Sequence, residues 1–211
     1  MTRTHLLALL HAERAALADA LQDLPDQAWT HPSLCAGWTV HDVLAHLTAA
    51  ARTSTLPWLA TMVASRFDTD RHNLRLLQRY RAADPADTLS TFRDAMTSTV
   101  APFGMLEGAL GEIIVHGQDI ARPLGLPLMP SRDALRVVAA FFARKDFAIN
   151  SSTLVRGLRL EAADDEFASG DGPVLRGPLL ALVMAMAGRP AALDELDGDG
   201  LEVLRERLSR R

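Results

Sequence analysis

The sequence predicts a mainly α-helical protein, an antiparallel helical bundle over residues 1–125 followed by a small α+β region over residues 126–211. Three observations lead there. Apolar residues recur at helical spacing through the first 125 positions, Pro and Gly cut that run into segments, and apolar–polar alternation appears only beyond residue 150. With 211 residues, 48% of them hydrophobic and 23% charged, the chain can build a real core as one large domain or one domain plus an appendage.

The first helix is expected over Thr4–Leu24, where Leu6, Leu7, Leu10, Leu17, Leu21 and Leu24 share a face and Pro25 stops the run. A loop from Trp29 to Trp38 follows. Thr39 then reads as an N-cap with Asp42 at the capping-box position, and a helix begins near Val40 with an apolar arc of Val43, Leu44 and Leu47. That helix should run at least to Thr53, with Pro57 as an interruption. Further helices are expected over 70–81 and 87–100, split at Ala83-Asp84-Pro85, and over 106–122, ended by Pro123 and Gly125. Four or more helices joined by short breaks argue for a bundle. Beyond it, Ser131 caps a helix to about Phe147, Leu154–Glu161 alternates like a strand, and Pro173–Arg176 is a candidate second strand. An apolar helix over 178–187 and an amphipathic one around Leu201, Val203, Leu204 and Leu208 end the chain.

A formal net charge of −4 supplies no basic field for nucleic acid or an anionic membrane, so the expected partners are small molecules or proteins. The longest apolar stretch, Pro178 to Gly188, is too short to span a bilayer, and the N-terminus lacks a signal-peptide pattern. Cys35 is the only cysteine, which excludes an intrachain disulfide or a cysteine-rich zinc site and fits a reducing cytoplasm. As a nucleophile Cys35 is discounted, because no base is identifiable beside it.

The chemistry concentrates on two helices. In Glu112-Ile113-Ile114-Val115-His116-Gly117-Gln118-Asp119, helical spacing places Glu112, His116 and Asp119 in one stripe at the edge of the core. An inward Glu and His need a partner to offset desolvation; an intrahelical hydrogen bond is one solution and a divalent metal another. His46 lies on the flank of the helix starting near Val40, with Asp42 one turn before it as a candidate to fix its tautomer. Together His46, Glu112 and His116 have the composition of a catalytic zinc site with an open fourth position. His5, His11, His31 and His72 sit in polar or loop contexts and are expected to be solvated, and His41 points away from His46.

Two stretches carry a family resemblance. The run from Trp29 through Pro32-Ser33, Cys35, Gly37-Trp38-Thr39-Val40 and Asp42-Val43 to Ala45-His46-Leu47, and the run Glu112, Val115-His116-Gly117-Gln118-Asp119-Ile120, Arg122-Pro123-Leu124-Gly125, resemble the signatures of the mycothiol-dependent maleylpyruvate isomerase family. The tail from Arg176 to Leu193 is similar as well. The resemblance implies a DinB-like four-helix-bundle metalloenzyme with a small α+β cap, in which His46, Glu112 and His116 hold zinc or another divalent transition metal. It further implies mycothiol as cofactor or co-substrate. The reaction would be cis–trans isomerisation by thiol addition, rotation and elimination, or transfer of the thiol to a small electrophile. Asp119 would orient a ligand or a metal-bound water from behind, and Arg122, Arg176 or Arg189 would meet an anionic substrate. A rival reading is a non-catalytic, metal-binding regulatory protein of the same fold, its fourth position closed by Asp119 or another side chain. A metal-free bundle is the third. Monomer and homodimer are both compatible with the sequence.

Overall fold

The computed structural model describes residues 1–147 and 149–210. They form two compact units, Met1–Met129 and Pro130–Arg211. No helix is long and apolar enough to cross a membrane, a statement that holds for the described residues.

The first unit contains α1 (Arg3–Ala20), α2 (Asp26–Trp29), α3 (Val40–Arg52), α4 (Thr55–Ala64), α5 (Thr69–Tyr80), α6 (Pro85–Asp94) and α7 (Leu106–Leu124), with a 3-10 turn at Pro102–Gly104. Helix α1 packs on α6 and α7, and α3 packs on α5, α6 and α7. Their apolar stripes meet in a core that includes the fully buried Leu10, Leu17, Leu44, Phe92, Leu110 and Ile120. Burying an aliphatic or aromatic side chain of this size contributes roughly 1.5–3 kcal/mol, so this core and not intrinsic propensity holds the helices.

Local signals explain most helix starts. Thr39 and Asp42 form the reciprocal capping box at α3, the Asp68 side chain accepts the Arg71 N–H at α5, and Asp84 caps α6 with Pro85 at its first position. Where the elements depart from the sequence reading, the reason is local at the two prolines and tertiary at the end of α6. Helix α1 stops at Ala20 because Pro25 disfavours helix at the residue before it and opens the separate turn α2. Pro57 does not break a helix; it lies in the first turn of α4, where the N–H it lacks would have no intrahelical partner. Helix α6 ends at Asp94 and not near Val100: buried Arg14 on α1 donates to the Ala95 and Ser98 carbonyls, and Ser98 Oγ donates to the Ala51 carbonyl, which holds a turn there.

The second unit holds α8 (Arg132–Arg144), α9 (Ser151–Leu154), α10 (Leu179–Met186), α11 (Gly200–Ser209), a 3-10 segment Pro190–Glu195 and a three-stranded sheet. In that sheet β1 (Arg159–Ala162) is central, antiparallel to β2 (Ala168–Ser169) and parallel to β3 (Val174–Gly177). The strand expected from Leu154 begins only at Arg159, because Ser151–Leu154 is a helical turn and Gly157, at φ 72°, adopts a left-handed turn first. Helix α10 is buried along its whole length, as its unbroken apolar sequence requires.

Candidate metal centre

Two facing helices of the first unit supply the cluster. Helix α3 presents His46, 7% exposed, and α7 presents Glu112 and His116 one turn apart. His46 Nε2 lies 2.6 Å and His116 Nε2 3.5 Å from the same oxygen, Glu112 Oε1. One ligand atom from each of the three residues falls within 4.8 Å of the others. Tetrahedral zinc with bonds near 2.0–2.1 Å separates its ligand atoms by about 3.3 Å, so the His116–Glu112 spacing already suits such an ion and the His46–Glu112 contact would have to open by less than an ångström.

Asp119 backs His116. It is fully buried, and its Oδ2 accepts the His116 Nδ1–H at 2.9 Å, leaving Nε2 turned toward Glu112. The same oxygen accepts the Cys35 S–H at 3.0 Å, and the sulfur lies 3.4 Å from His116 Nδ1. Burial alone would lower the His116 pKa; hydrogen bonds with Asp119, Cys35 and Glu112 outweigh it and hold the imidazole well above its ordinary value. Burial alone would raise the Glu112 pKa, and hydrogen bonding and charge from His116 and His46 instead hold it well below the carboxylate range. Both shifts favour the charged forms of His116 and Glu112.

The loop before α3 is pinned to α7 by a proline effect. Pro123 has no N–H to offer the Asp119 carbonyl four residues earlier, and that carbonyl instead accepts the Leu34 N–H at 3.0 Å. Ser33 Oγ donates to the Trp38 carbonyl at 2.8 Å, the Trp38 N–H returns to the Cys35 carbonyl, and Gly37 takes a left-handed φ of 80° to close the turn. This carries Cys35 to Asp119 and sets the half-buried Trp38 ring 5.1 Å from the His46 ring.

Several expectations change. Cys35 has a carboxylate and an imidazole beside it, so the view that no base accompanies it was wrong; 84 residues separate it from Asp119, and no local pattern signals the pairing. Asp42 does not orient His46, because its carboxylate serves the Thr39 cap and an ion pair with Arg81 at 2.7 Å. His72 is not solvated. It is 1% exposed, its ring packs against Trp58 at 4.8 Å, and both ring nitrogens lack a hydrogen-bond partner. His41 does point elsewhere, with Nε2 at 2.8 Å from Thr88 Oγ1. Of the arginines, Arg122 donates to Gln118 Oε1 at 3.3 Å, and Gln118 Nε2 in turn donates to the Leu128 carbonyl at 2.7 Å. Arg189 donates to the Ala187 carbonyl, and Arg176 is an exposed residue of β3 whose backbone pairs with Asp197; both belong to the second unit.

Comparison with known proteins extends the family resemblance. Residues 10–74, which include His46, match the model of the mycothiol maleylpyruvate isomerase N-terminal domain. The fold is that of a crystal structure of the mycothiol-dependent maleylpyruvate isomerase, at 16% identity and a TM-score of 0.67, covering 94% of this chain and 93% of that one. A histidine-to-alanine mutant of that enzyme matches at 14% identity with the same TM-score. No curated protein matches. The family resemblance therefore stands over residues 10–74, which carry the first of the two signatures, and the mainly helical DinB-like fold with a small α+β part stands as well.

Proposed function

We propose that His46, Glu112 and His116 bind one divalent transition metal, zinc, and that the protein uses it with mycothiol in a reaction on a small electrophile. The observation that carries this reading is the convergence of the three ligand atoms within 4.8 Å, from two different helices. Two imidazoles and a carboxylate without a thiolate ligand form a donor set found in catalytic zinc sites, which keep a coordination position for a reactant. Bound there, zinc would lower the pKa of an approaching thiol from about 8.5, so that its nucleophilic form is present at neutral pH.

The chain's own contributions follow from the geometry. Asp119 holds the His116 proton on Nδ1 and so directs the Nε2 lone pair inward, while the Cys35 S–H occupies the remaining approach to the same carboxylate oxygen. Trp38 covers one side of the His46 ring and excludes water from it. Arg122 is a candidate for an anionic group on the electrophile once it leaves Gln118. Isomerisation of a cis-enoyl acid and transfer of the thiol to a halide or epoxide both need this arrangement. In the regulatory alternative Asp119 or another side chain would close the site, and the engagement of Asp119 with His116 and Cys35 weighs against Asp119 in that role.

Elemental analysis of protein purified without chelators or a metal-affinity step should give close to one equivalent of zinc per chain. Calorimetric titration of the zinc-loaded protein with mycothiol should show binding, and cis-enoyl acids, halides and epoxides assayed with and without mycothiol should reveal isomer or adduct. Metal well below half an equivalent would overturn the metal reading. No mycothiol binding at millimolar concentration would overturn the enzymatic one.

A further inference from the structure

A second feature of the first unit lies outside the metal cluster. Between α4 and α5 runs a groove of about 540 Å³ lined by Pro57, Ala60, Thr61, Ala64, Arg75 and Arg79. The first four share one face of α4, and the two arginines stand one turn apart on α5. No carboxylate lines this space. Among the described residues neither arginine forms an ion pair: Arg75 only reaches Ser65 Oγ at 3.5 Å. Two like charges four residues apart on a helix repel, and a counter-charge placed between them relieves that repulsion.

The opposite wall narrows the ligand class. Pro57, Ala60 and Ala64 offer apolar surface, and the Thr61 hydroxyl is already spent as a donor to the Pro57 carbonyl at 2.9 Å. Strong donors therefore come from the guanidinium side alone, and a carboxylate or phosphate oxygen pair matches their planar fork. The volume lies within the range of small-molecule sites. The turn joining the two helices carries two successive non-glycine residues in the left-handed region, Arg66 at φ 57° and Phe67 at φ 63°. Strained backbone of this kind clusters at ligand clamps.

We infer that the α4–α5 groove binds a small organic anion, its carboxylate or phosphate on Arg75 and Arg79 and its apolar body against Pro57, Ala60 and Ala64. The site uses none of the metal-cluster residues and does not depend on the metal reading. Because both guanidinium groups face water, affinity should be modest, with Kd on the order of 0.1–1 mM at low salt.

Phenylacetate, phenyl phosphate, inorganic phosphate and benzyl alcohol are titrated into the full-length protein by calorimetry. At least one of the first two should saturate, and which does so separates a carboxylate from a phosphate ligand. Inorganic phosphate and benzyl alcohol should bind roughly tenfold more weakly or not at all, since each lacks half of the recognised chemistry. The R75Q/R79Q variant should weaken binding at least about tenfold, whereas an anion held at the metal cluster would be unaffected. A60E, which sets a carboxylate in the groove from the α4 wall, should abolish binding and stands in if the double variant folds poorly. Affinity within about twofold of the parent in R75Q/R79Q, benzyl alcohol binding as tightly as phenylacetate, inorganic phosphate as tightly as phenyl phosphate, or no saturation by about 50 mM would each overturn the inference.

Discussion

His116 and His72 are both largely withdrawn from water, yet their surroundings are opposite. Both ring nitrogens of His116 have a polar neighbour: Nδ1 is held by Asp119, Nε2 faces Glu112, and Cys35 donates to the same Asp119 oxygen. His72 packs against Trp58 with neither nitrogen bonded. Burial pushes its pKa down, the nearby charge of His46 adds to that, and the Thr61 backbone opposes it without reaching hydrogen-bonding geometry. The same residue type thus has its pKa moved in opposite directions. A satisfied buried histidine is preorganised for a cation, and an unsatisfied one is a cost that the surrounding packing offsets.

The comparison can be broken most severely at His116. His116→Ala should reduce metal affinity by more than about 100-fold while helical content is retained, because stability comes from apolar burial. His72→Ala, by contrast, should leave metal content unchanged. Metal analysis alongside circular dichroism checks both halves, and full occupancy in His116→Ala would remove that residue from the ligand set.

Asp119→Ala should cost about 10–100-fold in metal affinity, the usual effect of losing the group that orients a ligating imidazole. Competition with a chromophoric chelator measures it. An affinity unchanged in this variant would mean that Asp119 does not position His116.

A smaller and graded effect is expected from pH. A proton must leave His116 before a cation can take Nε2, so apparent affinity should fall about tenfold per unit of acidification throughout the range below its raised pKa. That slope should persist above 6.5, where an ordinary histidine would already be flat. In the metal-free protein, His116 contributes stability that is complete below 6.5 and is lost as pH rises through its higher folded value. Glu112 contributes stability above 4.5 that is lost as pH falls through its lower folded value. His72 acts against His116: its folded pKa is depressed, so its share of stability is present above 6.5 and lost as pH falls through the lower folded value. Thermal melts of the metal-free parent and of His116→Ala, His72→Ala and Glu112→Gln across this range separate the three slopes.

The smallest expected effect is a gain. His72→Phe keeps an aromatic ring against Trp58 and removes two unbonded polar atoms, and it should stabilise the fold by about 1 kcal/mol, a rise in Tm of roughly 2–4 °C. It should also flatten the His72 slope. A loss of more than about 1 kcal/mol would show that those nitrogens have partners after all.

The sequence by itself determined what depends on neighbours within a helical turn or two. The capping box of Thr39 and Asp42, the left-handed stop at Gly125, the inward face of Val40, Val43, Leu44 and Leu47, and the shared stripe of Glu112, His116 and Asp119 are all written in spacings of three or four residues. The composition of the candidate site was legible for that reason, and so was the mainly helical class. The tertiary structure decided what depends on which helix faces which. It put His46 across from Glu112, brought Cys35 to a carboxylate 84 positions away, diverted Asp42 to Arg81, and buried His72 of α5 beneath Trp58 of α4, a helix that holds Pro57 in its first turn. These pairings carry no periodicity, because contacts between elements are selected by the fit of whole surfaces once the chain has collapsed.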